Sequence, residues 1–271
     1  MAAKSTAGKT MRRWMWRGGL RSAELLTTIV TRLPGIDRVH PWIRPDKTDM
    51  RWLPINEDIA MPEDTPLPLA VLDHLIEETS HRVIIPYCGC REGFNCKDYP
   101  HDIGCLMMGD SAMEIERYPM REVGVEEAKE HVRKAVEAGL IPVVGKARAD
   151  NFIFGVKDRS RLLTVCLCCE CCCITRYTRF APAKLLEPTF PHLEGLSIEV
   201  TDRCTGCGKC TEHCYMEAIE VVDGRAVMSE YCRACGRCAD VCPEGAIDIR
   251  IEDPDFLEKT IERIGSYVKY D

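Results

Sequence analysis

The sequence predicts an α+β protein in which a small, Cys-rich α/β domain precedes a second Cys-rich domain with an internal repeat. Three observations lead to this fold class. Apolar, β-rich runs at 82–87 and 161–165 each lead into a Cys-x-Cys pair, a helical pattern at 124–139 lies between them, and the cysteines of 204–214 recur at 232–242. Short runs of β-branched residues are typical of buried strands, whereas apolar positions repeated every three or four residues are typical of helices.

The chain of 271 residues divides into four segments. They are a basic N-terminal extension with an amphipathic helix at 1–60, the Cys-rich α/β domain at 61–190, the repeat domain at 195–253 and a C-terminal helix at 254–271. No apolar run approaches the ~20 residues of a membrane-spanning helix, so we expect a soluble protein. The net charge of −7 argues against non-specific binding of nucleic acid.

The N-terminal extension combines basic residues with two tryptophans at 11–17, and apolar residues continue at roughly helical spacing to Leu33 before Pro34 and Gly35 end the run. A basic amphipathic helix of this kind can fold back on the core of its own chain, dock on a partner subunit or lie on a membrane surface. We favour the first two over contact with a membrane.

The α/β domain begins with a helix predicted from Leu67 to Glu78, followed by the first strand. The helix at 124–139 has acidic residues in its first turn and Gly139 as its C-terminal cap, and 141–144 is predicted to return as a strand. Neighbouring strands of one sheet would bring both Cys-x-Cys pairs to the same edge. The candidate metal ligands of this domain are its ten cysteines: Cys88, Cys90, Cys96, Cys105, Cys166, Cys168, Cys169, Cys171, Cys172 and Cys173.

Six of these thiols stand within the eight residues 166–173. If the segment is extended, its side chains alternate between two faces. The first face then carries Cys166, Cys168 and Cys172, and the second carries Cys169, Cys171 and Cys173. An irregular loop would instead wrap one cluster and leave spare thiols. Adjacent cysteines do not easily meet the geometry of a disulfide, and ligand sets made only of thiolates suit iron–sulfur clusters, zinc and Cu(I). We expect one or two further iron–sulfur clusters here, with zinc as the alternative.

The repeat domain contains two runs with the spacing Cys-x2-Cys-x2-Cys-x3-Cys. This is the spacing of bacterial ferredoxins, in which three thiolates of a run bind one [4Fe–4S] cluster and the fourth binds the other. The predicted ligands of the first cluster are Cys204, Cys207, Cys210 and Cys242, and those of the second are Cys232, Cys235, Cys238 and Cys214. Zinc sites with four cysteines use two Cys-x2-Cys pairs instead, so this reading is disfavoured.

Two further features of the repeat domain concern its strands and its charges. Residues on either side of Asp223-Gly224 are predicted to form a hairpin, because this dipeptide favours a tight turn. The domain resembles a two-cluster bacterial ferredoxin over about 58 residues, although Tyr215 follows Cys214 where that family has Pro. Four basic residues near the predicted ligands are interpreted as solvated surface charges rather than as groups that tune the reduction potential: Arg203, Lys209, Arg233 and Arg237.

Several elements of residues 65–250 occur together in one pattern. They are Cys88-Gly-Cys-Arg91, Cys105-Leu-Met-Met-Gly109, the helix from Glu126 to Leu140, the Cys-rich run at 166–173 and the double ferredoxin run. In these elements the chain resembles 4Fe-4S ferredoxin-like proteins of anaerobic microbes. The resemblance implies that the cysteines of the middle domain belong to a redox function.

We therefore expect an iron–sulfur protein of the cytoplasm that relays single electrons through two [4Fe–4S] clusters to or from a partner oxidoreductase. Such a protein is an electron carrier or a subunit of a redox complex rather than an enzyme, and no catalytic residue is identified. One alternative is a reductase in which the ferredoxin domain feeds a catalytic iron–sulfur or dithiol centre built from the middle cysteines. A second alternative is a scaffold subunit stabilised by zinc.

Overall fold

A computed structural model describes residues 18–19, 22, 25–33, 35–36, 48–55 and 67–266. The predicted N-terminal helix lies largely outside these residues. Within them, Leu26–Val30 forms a π-helical turn that contacts the 3-10 helical segment Ile174–Phe180. In the part of the chain that is described, no helix has the length and apolar character needed to cross a membrane.

A six-stranded sheet forms the centre of the middle domain. Its strands are β1 (Asp49–Trp52), β2 (Arg82–Ile84), β3 (Leu106–Met108), β4 (Arg121–Glu122), β5 (Ile141–Lys146) and β6 (Leu163–Cys168). They lie in the order β1-β5-β6-β3-β2-β4, and each neighbouring pair is antiparallel. The predicted strands before both Cys-x-Cys pairs and at 141–144 are present. An antiparallel sheet with helices packed against it belongs to the α+β class.

Five helices accompany this sheet and its surroundings. They are α1 (Leu67–Glu78), α2 (Gly89–Phe94), α3 (Val125–Glu137), α4 (Ala149–Phe154) and α5 (Ala183–Leu186). Helix α1 has the bounds that the sequence predicts, and α3 buries Ala128, Val132 and Ala135 at helical spacing. The chain leaves α3 through Gly139, whose φ of 76° lies in the left-handed region, and the N–H of Leu140 donates to the carbonyl of Ala135 (2.9 Å). This is the hydrogen-bonding pattern of a Schellman cap.

The C-terminal region contains two small sheets and three helices. Its elements are β7 (Leu196–Val200), α6 (Lys209–Glu212), β8 (Ile219–Val222), β9 (Arg225–Met228), α7 (Arg237–Asp240), β10 (Ile247–Ile251) and α8 (Phe256–Gly265). Strand β7 pairs with β10, and β8 with β9. The predicted hairpin is confirmed, because Asp223 (φ 51°) and Gly224 (φ 77°) form the tight turn between β8 and β9.

The C-terminal region and the six-stranded sheet share their cores. Helix α8 packs on α1, and Phe256 and Ile264 of α8 belong to the same buried cluster as Leu72. On the other side of the sheet, Tyr215 is fully buried and its ring lies 5.6 Å from that of Trp52 in an edge-on arrangement. One apolar cluster therefore contains cysteines of both parts of the chain: Cys166, Cys168 and Cys173 of the middle domain, and Cys214, Cys232 and Cys235 of the C-terminal region.

Candidate metal centres

The two Cys-x-Cys pairs lie at the same edge of the six-stranded sheet. Strands β2 and β6 both pair antiparallel with β3, so they run in the same direction and end at the same edge. Cys88 and Cys90 follow β2, Cys105 directly precedes β3, and β6 ends at Cys168. The two strands are not direct neighbours, since β3 lies between them. The edge therefore collects cysteines from three strands rather than two.

A close approach of backbone brings Cys105 to this edge. The N–H of Ile85 donates to the carbonyl of Cys105 (2.9 Å), which continues the pairing of β2 with β3. The preceding Gly104 makes this approach feasible, because a Cβ atom there would lie 1.9 Å from the carbonyl oxygen of Ile85. A side chain at position 104 would push Cys105 away from the other thiols.

The ten middle cysteines form two groups. The four-thiol group consists of Cys96, Cys169, Cys171 and Cys172, whose sulfur atoms all lie within 4.8 Å of one another. The six-thiol group consists of Cys88, Cys90, Cys105, Cys166, Cys168 and Cys173. In the second group the Sγ atoms of Cys168 and Cys173 are 3.0 Å apart, and those of Cys105 and Cys166 are 3.9 Å apart. All ten cysteines are free thiols.

The turn after β6 divides the run 166–173 between the two groups. Cys166 and Cys168 share a face of the strand, as alternation requires. The chain then turns, with the N–H of Cys173 directed to the carbonyl of Cys169 (3.4 Å). The alternation predicted for an extended segment is therefore wrong for the last two thiols. Cys173, and not Cys172, joins Cys166 and Cys168 in the six-thiol group, and Cys172 joins the four-thiol group. Each group still receives three thiols from this run.

A buried arginine lies between the two groups. Arg91 is 0% exposed, and its guanidinium donates to the carbonyls of Pro100 (2.7 Å) and Leu167 (2.7 Å) and also to that of Ile103. Among the described residues, no carboxylate lies within ion-pair distance of it. Burial alone would lower the pKa of Arg91, but the nearby thiolates, Cys88 foremost, outweigh this effect and raise it.

The charge of Arg91 is informative about the thiols. A buried cation is costly unless it is paired with negative charge. Three thiols of the six-thiol group and one of the four-thiol group supply that charge when they are deprotonated: Cys88, Cys105 and Cys168, and Cys169. Thiolates are the form of cysteine that binds metal. The donor set and its buried counter-charge thus fit anionic metal–sulfur centres.

The eight C-terminal cysteines come together in two sets of four. Cys204, Cys207, Cys210 and Cys242 line one cavity of about 20 Å³. The second set is Cys214, Cys232, Cys235 and Cys238. Burial raises the pKa of Cys238, and the negative charges of the other three thiolates raise it further. Burial likewise raises the pKa of Cys235 to about 12. These are the same sets that the ferredoxin spacing predicts, and their role as cluster ligands stays a prediction.

Backbone N–H groups point at sulfur atoms of both sets. The N–H of Ala226 donates to Cys204 (3.4 Å) and that of Ala246 to Cys242 (3.3 Å). In the second set, Ala218 donates to Cys214 (3.1 Å). Hydrogen bonds of this kind favour the charged sulfur and are among the factors that set the reduction potential of an iron–sulfur cluster.

A chain of side chains connects the second C-terminal set with the six-thiol group. Tyr215 follows Cys214, and its hydroxyl is hydrogen-bonded to the hydroxyl of Thr175. The Oγ1 atom of Thr175 lies 3.2 Å from the Sγ of Cys173. Tyr215, which stands where the ferredoxin pattern has Pro, thus makes a contact that a proline side chain cannot make, because proline has no hydroxyl.

Arg237 and Glu170 form a similar connection to the four-thiol group. Glu170 accepts a hydrogen bond from the hydroxyl of Tyr99 (2.7 Å) and lies 3.7 Å from the guanidinium of Arg237, next to Cys238. Arg237 is 5% exposed and Arg233 is 2% exposed. The interpretation of these two arginines as solvated surface charges was wrong, because the packing of the C-terminal region on the sheet covers them.

An apolar cavity of about 140 Å³ borders the six-thiol group. Four of the six thiols lie on its wall: Cys88, Cys90, Cys105 and Cys166. Aromatic residues form much of the remainder, and the ring of Tyr118 lies 5.9 Å from that of Tyr87 and 5.4 Å from that of Phe154. The sequence carries no signal for this cavity, because its walls come from nine stretches of the chain that are far apart in sequence.

Comparison with known protein families finds a match for the C-terminal region. Residues 203–247 match the model of the 4Fe-4S dicluster domain, and this range contains all eight C-terminal cysteines. No curated protein and no solved structure matches the chain. The C-terminal region is thus a ferredoxin-like iron–sulfur domain that binds at least one [4Fe–4S] cluster.

Proposed function

We propose that this protein is an electron-transfer protein that relays single electrons through two [4Fe–4S] clusters to or from a partner oxidoreductase in the cytoplasm. The observation that carries the proposal is the grouping of eight cysteines into two sets of four within a range that matches the 4Fe-4S dicluster domain. A cluster held by thiolates exchanges single electrons without a substrate pocket of its own.

The first cluster would be held by Cys204, Cys207, Cys210 and Cys242, and the second by Cys232, Cys235, Cys238 and Cys214. The two sets differ in exposure. Cys207 of the first set is exposed, whereas Cys235, at the equivalent position of the second set, is only partly exposed. The first cluster therefore suits exchange with the partner protein, and the second suits transfer into the middle domain.

The middle domain would hold one or two further iron–sulfur clusters. The support is the four-thiol group, whose sulfur atoms lie within 4.8 Å of one another, together with the buried charge of Arg91, whose neighbours of opposite charge are thiolates. Zinc is the alternative metal for a set of four thiolates. A zinc-stabilised scaffold would then contain two clusters only.

The test is the content of iron and acid-labile sulfide per chain after anaerobic purification and reconstitution, with EPR of the reduced protein. Two clusters give ~8 iron atoms, and three or four give ~12–16, at four per cluster. Zinc in the middle domain together with ~8 iron atoms would support the scaffold. Absence of acid-labile sulfide from the reconstituted chain would refute the proposal.

A reductase is the second candidate function, and the cavity beside the six-thiol group is the observation that favours it. In that case a reactive thiol pair would belong to the middle domain. Iodoacetamide would then modify two thiols of the native protein readily, whereas thiolates that ligate clusters resist until the metal is removed. Uniform resistance of all the middle thiols would exclude a dithiol centre.

A further inference from the structure

We propose that the six-thiol group holds an iron–sulfur centre of its own, separate from the four-thiol group, and that the cavity beside it is a binding site for a small, uncharged molecule of single-ring size. The inference rests on the proposed iron–sulfur function of the chain. It adds a second metal centre in the middle domain and names the class of ligand that this centre would meet.

The separation of the two groups follows from their geometry. The four-thiol group already offers the four sulfur donors that a cluster requires. The other six thiols are linked among themselves: Cys90 is within hydrogen-bonding reach of Cys88 and of Cys173, and Cys166 is within reach of Cys105 and Cys168. Arg91 stands between the groups and is near thiols of both.

The six thiols face in two directions. Cys168 and Cys173 are buried on the side of Tyr215, in the same apolar cluster as Cys214 and Cys235 of the second C-terminal set. The other four thiols line the cavity. A centre at this position would thus have one side next to the electron source and the opposite side open to a ligand.

The cavity is too large to be only the space between ligating thiols. It measures about 140 Å³, whereas the cavity among the first C-terminal set measures about 20 Å³. An apolar cavity of about 150 Å³ in another protein binds benzene. The volume and the aromatic walls therefore suit a single ring or a short apolar chain.

The polar groups on the wall do not favour a charged ligand. Asp150 and Arg148 are the charged residues among the described lining residues, and their formal charges are of opposite sign. The Oδ2 of Asp150 accepts a hydrogen bond from the hydroxyl of Thr164 (2.5 Å). Thr175 is hydrogen-bonded to Tyr215. A charged molecule would lose its hydration on entering this space and would meet aromatic rings and sulfur.

The first experiment separates the two centres by their metal content. In the full-length, reconstituted protein, the double variant Cys90→Ala/Cys105→Ala is expected to lose ~4 iron atoms per chain. The matched variant Cys96→Ala/Cys171→Ala should lose a similar number from the other group. EPR signals of the C-terminal clusters should persist in both, which shows that the chain is folded. Wild-type iron content in the first variant, or zinc in place of that iron, would overturn the proposal.

The second experiment tests the ligand site with benzene as the probe. Benzene at millimolar concentration is expected to shift the EPR signal that the first double variant lacks, and to leave the C-terminal signals unchanged. Ile153→Trp, which fills the cavity from α4, should abolish this shift. The control is Phe152→Trp on the same helix, because Phe152 is 72% exposed and is not on the cavity wall.

The outcomes separate this inference from the proposed function. If benzene leaves all signals unchanged, or shifts them equally in the Ile153→Trp variant, the ligand site is refuted. The two C-terminal clusters, with ~8 iron atoms, would still be present in that case. If the wild-type chain binds no iron and sulfide at all, it is the proposed function that fails.

Discussion

At the scale of single residues, Arg91 is the most informative about the charge of the middle thiols. It is a buried cation whose hydrogen-bond acceptors are all backbone carbonyls, and its neighbours of opposite charge are thiolates. A neutral set of thiols would leave this charge without compensation. Arg91 therefore links the folding of the middle domain to the charge state of its cysteines.

Replacement of Arg91 tests this link. We expect Arg91→Met to lower the free energy of unfolding by about 3 kcal/mol, because the buried carbonyl of Leu167 and the partly buried carbonyls of Pro100 and Ile103 lose their donor. We also expect it to reduce the iron bound by the middle domain. Chemical denaturation and iron analysis check both. Arg133→Met, at a largely exposed position on α3, is the control and should change neither. Full iron loading of Arg91→Met would contradict the role of its charge.

His131 provides a pH-dependent contribution to stability. Its Nε2 donates to the carbonyl of Gly104 (2.9 Å), and burial, reinforced by the charges of Arg121 and Lys134, lowers its pKa below 6.5. Below pH 6.5, His131 becomes protonated in the unfolded chain but stays neutral in the folded chain until the pH falls to its lower pKa. Stability should thus be complete above pH 6.5 and should fall as the pH decreases below it.

His131→Gln isolates this effect. In this variant, the free energy of unfolding should depend less steeply on pH. The difference in slope is at most about 1.4 kcal/mol per pH unit, which is the value for the uptake of one proton. Urea denaturation between pH 5 and 8 measures it. His81→Gln, whose ring is exposed, serves as the control. Equal slopes for the wild type and His131→Gln would show that His131 does not carry the effect.

The spacing of the cysteines predicts which C-terminal thiols meet in space, but the sequence says little about the residues that surround them. The spacing of the C-terminal cysteines predicts two sets of four that do meet in space, because each set is defined mostly by short loops. Arg91, Tyr215 and Arg237 have no such local signal. Their roles depend on which segments cover them in the folded chain, and a linear pattern does not contain that information.

At the scale of elements, the helices and strands follow their patterns closely. Helix α1, helix α3 and the hairpin of β8 and β9 are found where the sequence predicts them, since local spacing and turn residues determine them. Strand β1 within 1–60 is not predicted, and the division of 166–173 is predicted only in part. Both involve contacts with distant segments: β1 pairs with β5, and Cys171, in the turn after β6, contacts Cys96.

The connection through Tyr215 leads to a prediction for the contact between elements. Tyr215→Phe removes the hydrogen bond to Thr175 and should cost about 1 kcal/mol, whereas Tyr215→Ala also empties a buried site and should cost about 3–5 kcal/mol. Guanidinium denaturation provides the values. In both variants the EPR signal of the second C-terminal cluster should change more than that of the first.

Tyr231 offers a matched control for this pair. It lies in the same region and is half-buried, and its described hydrogen bond is made by the backbone N–H rather than by the hydroxyl. Tyr231→Phe is therefore expected to leave stability within about 0.5 kcal/mol of the wild type. An equal loss in Tyr215→Phe and Tyr231→Phe would mean that the contact with Thr175 contributes nothing specific.

At the scale of the whole molecule, the ferredoxin-like region and the sheet form one unit. Helix α8 at the end of the chain inserts Phe256 and Ile264 into the core of α1 and α3. The connection between the thiol sets therefore rests on an extensive apolar contact and not on a flexible tether. This packing sets the distances between the thiol sets.

Because they share this core, we expect the C-terminal region and the six-stranded sheet to unfold together in one cooperative transition. Phe256→Ala should lower the free energy of unfolding by about 3–5 kcal/mol, and far-UV circular dichroism and the visible absorbance of the clusters should decrease at the same denaturant concentration. Glu262→Ala on the exposed side of α8 is the control, with an expected change within about 0.5 kcal/mol. Two separate transitions, with the clusters retained after the sheet unfolds, would contradict a single unit.

The turn after β6 has a consequence for how this stretch of sequence can vary. Three thiols go to each group according to their count from the end of the strand, so an inserted or deleted residue between Leu167 and Cys173 would reassign every thiol that follows it. A replaced cysteine costs one donor in one group, but a changed length costs donors in both at once. We therefore expect related chains to differ here by exchange of residues and not by gain or loss of them.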